Sequence, residues 1–434
     1  MYVVTSPSLV AACDRRARTI SFAPYVVTFA KRVMKAGQAT IDLLSEDLFE
    51  DQGPVTLRPE TTKAMHEALK RGDLNDTLQA SLKSVQSFLD SEDRIGDGSG
   101  TPLFHWVRRF LTTASTRALY GPENPVRTTK LMDDFWKVDQ DFGLLGVDVA
   151  PEFVAPEANR ARERFFEAFR QYYASGGLKG ASRFIKARYE VNKKHGVENK
   201  DIAQFDLGVC TALLVNTVPA MSWTLYYAFS DPTFLAQLRE GIEAVVSQSN
   251  VTPEPLITSV NIPQVIEAFP FLQSFVREAL RVQSHGSSAR FVLEDTFVDD
   301  TDGTTYLLKK NSILTMPSAL VHGSEAGWGP DAKEFNASRF IESQTNVKVT
   351  ASSYRVFGGG NAICPGKQFA LNLMMSVLLI MVLRYDIVPV EGRWKKPKPK
   401  NHISTSFLMP TKDVMVHIQP RKQNARWNFV WEPK

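Results

Sequence analysis

The stretch SYRVFGGGNAICPGKQFALNL, residues 353–373, places a single cysteine between a run of glycines and a long apolar segment. The three glycines, Gly358 to Gly360, permit backbone conformations that other residues rarely adopt and let the chain lie close against a flat ligand. Pro365 and Gly366 follow the cysteine, and the apolar run over residues 367–387 has the composition of a buried helix. The stretch therefore predicts a cysteine held in a glycine-rich loop at the start of a core helix.

Cys364, the cysteine of this loop, has three possible roles. Amides at a helix start point toward the sulfur and stabilise a thiolate over a thiol. A thiolate in an apolar pocket is one of the few protein ligands that hold haem iron for oxygen activation. The alternatives are a buried, unreactive thiol, which is the common fate of a lone cysteine, and a nucleophile, although no histidine stands in the loop to activate it.

The composition of the 434 residues indicates an ordinary globular protein, with 43% hydrophobic and 23% charged residues. A core of that size is large enough to enclose a cofactor. The net charge is +4, and basic residues alternate with acidic ones along the chain, so we predict no nucleic-acid partner. The basic segment GRWKKPKPK, residues 392–400, is interpreted as a solvated loop. The three cysteines, Cys13, Cys210 and Cys364, are too few and too scattered for a disulfide framework or a zinc cluster, which favours a reducing compartment.

The order of local patterns predicts a mainly α fold with a minor β part. The longest uncharged run, residues 207–230, contains several polar side chains and Pro219, so we interpret it as a core helix rather than a membrane span. Other helical patterns cover residues 58–72, with Gly72 as the stop, 159–177, and 262–284 with a break near Pro270. Strand patterns lie at residues 2–5, 289–298, 304–316 and 414–420. No linker divides the chain, so a single domain over residues 1–434 is expected.

The spacing of Phe357, Gly360, Cys364 and Gly366 resembles the F-x-x-G-x-x-x-C-x-G signature of the cytochrome P450 family. Three further segments resemble family motifs in the family's order. The first is EALR, in which Glu278 and Arg281 resemble the family's E-x-x-R pair. The second is VHGSEAGWGPDAKEF, residues 321–335, in which we expect His322 to be a structural histidine at the surface. The third is FNASRF, residues 335–340, which contains Arg339. The resemblance implies the cytochrome P450 fold, with haem between the I and L helices.

The resemblance assigns Cys364 as the axial thiolate of haem b, with Phe357, Gly358 and Gly366 around the cofactor. It also implies that Glu278, Arg281 and Arg339 form a buried charge network. The family commonly has a basic residue two positions before the cysteine to hold a haem propionate, and Ala362 stands there instead. We expect Arg290 and a basic group of the 58–72 helix, Lys63 or His66, to hold the propionates.

The central helix resembles the family's oxygen-activating I helix but lacks the usual acid–threonine pair, which would fall at Val215 and Asn216. Its Asn-Thr-x-Pro pattern resembles the branch of sterol 7α-hydroxylases, sterol 12α-hydroxylases and prostacyclin synthase. That branch includes monooxygenases and an isomerase. We expect Asn216 and Thr217 to be the catalytic polar residues, orienting a water for proton delivery. The alternative role for Asn216 is to stabilise a kink near Pro219.

The resemblance implies a haem-thiolate monooxygenase that uses O2 and electrons from NADPH–cytochrome P450 reductase. A lipophilic substrate of secondary metabolism, such as a terpenoid, sterol or polyketide, fits the neutral residues expected to line the pocket, which are Ala212, Asn216, Pro219, Ser287, Ser288, Thr405 and Phe407. Two alternatives remain. One is a haem-thiolate isomerase or dehydratase that needs no reductase, and the other is a catalytically silent haem-binding homologue or sensor.

The start of the chain resembles the segment that follows the membrane anchor of eukaryotic family members. We therefore expect residues 1–434 to carry no N-terminal anchor. Peripheral membrane contact is expected from the first 50 residues and from the region of residues 150–166. The expected location is the cytosolic face of the endoplasmic reticulum membrane, or the cytoplasm if the anchor is truly absent.

Overall fold

Helices make up most of the protein in the computed structural model, which describes residues 1–49, 55–91, 100–249, 257–344, 349–421 and 426–433. The helices are α1 Pro7–Asp14, α2 Ala23–Arg32, α3 Gln38–Ser45, α4 Leu57–Glu67, α5 Arg71–Ser91, α6 Leu103–Tyr120, α7 Thr129–Gln140, α8 Phe142–Val147, α9 Pro151–Val154, α10 Pro156–Ala174, α11 Arg183–Lys194, α12 Asn199–Leu214, α13 Thr217–Ser230, α14 Pro232–Ser249, α15 Ile262–Ala268, α16 Pro270–Gln283, α17 Ser318–His322, α18 Glu325–Trp328 and α19 Lys367–Arg384. Short 3-10 turns lie at Pro125–Arg127, Gly177–Gly180, Glu342–Gln344 and Gly360–Ala362.

The strands form small sheets, which confirms the mainly α fold with a minor β part. They are β1 Tyr2–Val3, β2 Ile20–Ser21, β3 Thr101–Pro102, β4 Ile257–Asn261, β5 Ser287–Val292, β6 Thr296–Asp299, β7 Thr305–Leu308, β8 Ile313–Pro317, β9 Tyr385–Pro389, β10 Pro399–Lys400, β11 Met409–Pro410, β12 Met415–Pro420 and β13 Arg426–Val430. The largest described sheet has the order β1-β8-β5-β2, with β1 parallel to β8 and antiparallel pairing elsewhere. This sheet joins the beginning of the chain to the region after α16.

Two apolar helices run through the core. The α12–α13 pair and α19 are long and apolar enough to cross a membrane, with mean hydropathy of 1.3 and 1.4, yet 56% and 72% of their apolar windows are buried inside the protein. The interpretation of residues 207–230 as a core helix is therefore confirmed. The helix predicted over residues 367–387 ends at Arg384, because the following residues pair with β12 as strand β9.

Two predicted helix boundaries can be compared with the structure, and one of them is wrong. The break near Pro270 is confirmed, since α15 ends at Ala268 and α16 begins at Pro270. Gly72 was predicted to stop the 58–72 helix, and that prediction is wrong. The helix ends earlier, at Glu67, and a new helix, α5, begins at Arg71, whose φ of +48° reverses the chain direction. Gly72 therefore lies inside the first turn of α5.

Candidate active site

The cysteine loop, defined as residues 357–366, folds back on itself immediately before α19. The backbone N–H of Cys364 donates to the Phe357 carbonyl over 2.9 Å, which closes the loop at its base. Gly358 adopts a φ of +73°, and a Cβ there would lie 2.7 Å from the Ala362 carbonyl oxygen. Only glycine fits this position, both for its left-handed backbone and for the close approach. Gly366 caps the N-terminus of α19.

The thiol of Cys364 is accessible, whereas Cys13 and Cys210 are both buried. The protein that surrounds most of the sulfur raises the pKa of the Cys364 thiol, and a hydrogen bond from the Gly366 backbone N–H opposes this effect only in part. A coordinated metal cation deprotonates a thiol outright, so a metal bound at Cys364 would meet a thiolate.

Glu278 is the centre of a buried charge network beneath this loop. Arg281 donates to both of its carboxylate oxygens over 2.7 Å, and the Arg339 Nε donates to Oε1 over 3.0 Å. The three side chains are at most 2% exposed. Arg339 is also paired with Asp331 over 2.8 Å. Because each charge meets an opposite charge or a carbonyl oxygen, the network avoids the large cost of an unpaired buried ion.

His322 joins this network to the cysteine loop, and its predicted place at the surface is wrong. The residue is 2% exposed, and its Nδ1 lies 3.1 Å from the Arg281 carbonyl oxygen, which can only accept. Nε2 therefore accepts, over 2.9 Å, from the backbone N–H of Arg355, two residues before the loop begins. Burial and the nearby Arg281 lower the pKa of His322 to about 3, which keeps the imidazole neutral and suited to this bridging role.

The central helix breaks between Leu214 and Thr217, where Asn216 precedes the first turn of α13. The Asn216 Oδ1 accepts from the Ser406 backbone N–H over 2.8 Å and from the Thr405 hydroxyl over 3.2 Å. The Thr217 hydroxyl instead donates to the Leu213 carbonyl over 2.7 Å, within the helix. The carbonyl oxygen of Asn216 thus holds the loop at residues 404–408, and the residue is half-buried.

Known proteins match this chain along most of its length. Residues 156–418, more than half of the chain, match the sequence model of the family described as cytochrome P450. The chain belongs to the cytochrome P450 family.

Relatives of this cytochrome P450 include fungal and mammalian enzymes. It is 28% identical to the cytochrome P450 monooxygenase nodJ of Hypoxylon pulicicidum, over 99% of this chain and 83% of that protein. A cytochrome P450 monooxygenase of Gibberella zeae is also 28% identical, over 99% of this chain and 82% of the relative. The 25-hydroxycholesterol 7-alpha-hydroxylase of Rattus norvegicus is 25% identical, over 78% and 83%. The chain is accordingly a cytochrome P450 monooxygenase, an oxidoreductase.

A cysteine-ligated haem is the cofactor of this family, and the cysteine loop fits it. The loop presents one accessible thiol just before the N-terminus of α19, and an apolar side chain, Ile363, lies beside it and is 42% exposed. When bound, a thiolate-ligated haem supplies the oxygen-activating chemistry, while the protein orients the substrate and controls water and protons. Phe357, Gly358 and Gly366 all belong to the loop that positions the sulfur.

The two basic residues expected to hold the haem carboxylates lie in different surroundings. Arg290 is 6% exposed on β5 and donates from Nη2 to the Gly359 carbonyl over 3.3 Å, so its guanidinium lies directly against the cysteine loop. Lys63 is an exposed side chain on α4, a helix that packs against α11, and His66 on the same helix is half-buried. The structure thus brings Arg290, but not Lys63, into contact with the loop.

The residues expected to line the substrate pocket fall into two groups. Ala212 is exposed although it lies within a core helix, and Ser287, Ser288 and Thr405 are exposed or half-buried. The loop at residues 404–408 connects them, because the Ser406 carbonyl accepts from the His285 and Gly286 backbone N–H groups while its own N–H bonds Asn216. Pro219 and Phe407 are buried in the core. The accessible residues of the set are therefore small and neutral.

Two residues beside the cysteine loop escaped the sequence analysis. Arg355 is 2% exposed and forms an ion pair with Asp14 at the end of α1. A basic residue two positions before the phenylalanine of the signature is a visible signal, but its partner lies 341 positions away in the sequence. The pairing could not be found from a single sequence.

Proposed function

We propose that this P450 oxidises a lipophilic small molecule with O2, using electrons from NADPH–cytochrome P450 reductase. The observation that carries the proposal is the accessible Cys364 thiol in a loop of family sequence, placed over a buried Glu278–Arg281–Arg339 network. Cys364 is the axial ligand of haem b in this proposal, and Arg290 is a contact for a haem carboxylate.

A terpenoid, sterol or polyketide of secondary metabolism is the proposed substrate class. Ala212, Ser287, Ser288 and Thr405 are exposed or half-buried and carry no charge, and a binding site lined by them favours a largely apolar molecule with a few hydroxyl or oxo groups. The printed names of relatives agree with this class, since one of them is a 25-hydroxycholesterol 7-alpha-hydroxylase. We propose the cytosolic face of the endoplasmic reticulum membrane as the location.

Asn216 is the proposed group for orienting the water that delivers protons. Its Oδ1 is engaged by Thr405 and Ser406, so the amide N–H2 group is the part that can donate to a water or to the substrate. Val215 is buried and apolar, and the Thr217 hydroxyl is bonded to Leu213. Of the three consecutive side chains, Asn216 alone is both polar and not fully engaged by its own helix.

Replacement of Asn216 by alanine is expected to uncouple electron consumption from product formation. NADPH oxidation with reductase should persist, while product per NADPH falls by about 100-fold, the lower end of the usual contribution of a positioned proton-transfer group, and hydrogen peroxide rises. The measurement compares NADPH consumed, peroxide released and product formed, with a panel of sterols and terpenoids as substrates.

Thr224→Val is the matched control, because it also removes a polar group from α13, a hydroxyl that donates to the Ala220 carbonyl over 2.8 Å, at a position outside the expected substrate pocket. It should retain coupling close to that of the wild-type protein. Coupling in Asn216→Ala equal to that in Thr224→Val would leave Asn216 with only its role in ordering the loop. Full-rate product formation without reductase or NADPH would replace the monooxygenase proposal with the haem-thiolate isomerase or dehydratase.

We also propose that an exposed apolar cluster contacts the membrane. It comprises residues of α8, α9 and the intervening turn, together with one residue of the C-terminal loop: Leu144, Val147, Val149, Phe153, Val154 and Ile403, which are 47–79% exposed. Ile403 belongs to the cluster because its side chain lies 3.5 Å from where a Cβ of Gly143 would be. An apolar surface of this kind supports reversible, peripheral association with lipid.

Phe153→Asp is expected to reduce binding to phosphatidylcholine–phosphatidylserine vesicles. Burial of one large apolar side chain contributes about 1.5–3 kcal/mol, so the partition coefficient should fall at least tenfold. The control is Phe297→Asp, which alters another exposed phenylalanine, 60% exposed on β6 and outside the cluster. Vesicle flotation that is unchanged in Phe153→Asp, or equally reduced in both variants, would contradict the assignment of this face.

A further inference from the structure

Arg355 and Asp14 form a largely buried ion pair that contacts the cysteine loop. The Arg355 side chain is 0% exposed and the Asp14 side chain 17% exposed. Arg355 Nη1 donates to Asp14 Oδ2, and Nη2 lies 3.4 Å from Oδ1 and 3.8 Å from the Met316 sulfur. The Arg355 Nε has no hydrogen-bond partner in the described part of the chain, so Asp14 is the principal partner of this buried cation.

The ion pair lies in direct contact with two glycines of the loop. A Cβ at Gly359 would be 1.9 Å from the Arg355 Nη1 and 2.7 Å from the Asp14 Oδ2. A Cβ at Gly360 would be 3.1 Å from the Asp14 Oδ1. Gly359 has an extended backbone, with φ of −175°, that any residue could adopt. The need for glycine at this position therefore arises from the close approach of the ion pair.

The backbone of Arg355, like its side chain, is held by hydrogen bonds. Its N–H donates to the buried, neutral His322, and its carbonyl accepts from the Gly358 N–H over 3.1 Å. The residue thus connects three parts of the protein: the Glu278 network through His322, the end of α1 through Asp14, and the glycines of the loop.

Arg290 adds a second cation at the same glycine, through its bond to the Gly359 carbonyl. Arg355, in contrast, is neutralised by Asp14. The cysteine loop itself, residues 357–366, contains no charged side chain, and Ala362 stands where the family commonly has a basic residue. The positively charged groups that touch the loop, Arg290 and Arg355, therefore come from outside it.

We propose that Arg355 and Asp14 are positioning residues that brace the cysteine loop of this P450 and set the electrostatic environment of its cofactor. The pair holds Gly359 and Gly360 in place and thereby fixes the position of the Cys364 sulfur that would bind the iron. Its two opposite charges cancel, so removal of either one would change the charge beside the cofactor. The proposal rests on Cys364 being the haem ligand, which is tested separately by the spectrum of the wild-type protein.

The test uses the haem-loaded full chain and three variants: Asp14→Asn, Arg355→Met and the double variant. Two quantities are measured, namely the reduction potential of the haem and the rate at which the ferrous carbon monoxide complex loses its thiolate-type Soret band. Asp14→Asn leaves the Arg355 cation without its neutralising anion and should raise the reduction potential, because positive charge favours the ferrous state. Arg355→Met leaves the Asp14 anion without its cation and should lower the reduction potential. The double variant should return near the wild-type potential.

The thiolate-type band should be lost about tenfold faster in Asp14→Asn, because a stranded buried cation strains the loop that holds the sulfur. Asp148→Asn is the matched control, since Asp148 is paired with Lys35 and its side chain is 22% exposed, close to the 17% of Asp14. It should change neither quantity.

Variants that unfold at lower temperature while keeping the wild-type potential and rate of band loss would overturn the proposal, as would potential shifts of the same sign in Asp14→Asn and Arg355→Met. If Arg355→Met does not fold, the potential and band-loss rate of Asp14→Asn decide the question alone. A wild-type protein without the thiolate-type band would instead overturn the assignment of Cys364.

Discussion

Replacement of Glu278 by alanine is expected to destabilise the folded protein by about 3–5 kcal/mol, because it strands two buried guanidinium groups. The Glu278 carboxylate accepts from Arg281, Arg339 and the Asn336 backbone N–H. The Arg281 and Arg339 side chains are at most 2% exposed, so water does not replace the carboxylate there. Glu278→Ala should therefore yield little soluble, haem-loaded protein. The measurement is the yield of folded protein, its haem content and its midpoint of unfolding in urea.

The chain contains its own control for this experiment. Glu167 and Arg170 in EAFR have the same E-x-x-R spacing as Glu278 and Arg281 in EALR, and Arg170 Nε donates to Glu167 over 2.9 Å. The two side chains are 52% and 35% exposed, so Glu167→Ala should leave the yield and the unfolding midpoint close to those of the wild-type protein. Similar yields and unfolding midpoints for Glu278→Ala and Glu167→Ala would contradict the role of the buried network.

These two E-x-x-R pairs show what a single sequence can and cannot establish. Both have i, i+3 spacing on a helix, and nothing local distinguishes the exposed pair from the buried one. The buried pair could be recognised only because Glu278, Arg339 and Cys364 follow one another in the order of the cytochrome P450 motifs. Helix positions, by contrast, followed from local apolar periodicity, and α16 begins at Pro270 as the pattern predicts.

Replacement of Cys364 by histidine is expected to abolish monooxygenase turnover while the fold is retained. Cys364 is exposed and lies outside the hydrophobic core clusters, so the substitution leaves the core packing intact. An imidazole ligand does not supply the electron density that a thiolate provides for oxygen activation. Turnover with reductase and NADPH should fall by more than about 100-fold, beyond the loss caused by perturbing a metal ligand's neighbours.

Cys210→Ser is the matched control for the cysteine substitution. Cys210 is fully buried in α12, with its sulfur 3.9 Å from the Tyr120 hydroxyl, and burial raises the pKa of its thiol above the ordinary range. Serine should keep that contact and normal turnover. Turnover lost equally in Cys210→Ser and Cys364→His would show that the assay reports folding rather than ligation.

The features that the sequence did not predict depend on contacts between distant segments. His322 carries a family-like motif, but its burial follows from the packing of α16, α17 and the segment before the cysteine loop. Asp14 and Arg355 are separated by 341 positions, and neither has a local partner that marks it as buried. The glycine run was interpreted as space for a flat ligand, yet Gly359 is constrained by the Arg355 guanidinium.

The central helix shows the same limit at a smaller scale. Asn216 and Pro219 indicate a disturbed helix, and the structure breaks it between Leu214 and Thr217. The partners that satisfy the Asn216 carbonyl oxygen, Thr405 and Ser406, come from a loop almost 200 residues later, 189 and 190 positions along the chain. Local sequence can locate the disturbance, but only the tertiary fold shows which end of the amide is occupied.

The most direct test of the haem-thiolate assignment is the absorption spectrum of the reduced carbon monoxide complex. The wild-type protein should show the red-shifted Soret band that is diagnostic of thiolate ligation, and Cys364→His should show the band at the imidazole-ligated position. A wild-type spectrum without the red-shifted band, or an unchanged red-shifted band in Cys364→His, would contradict the assignment of Cys364 as the axial ligand.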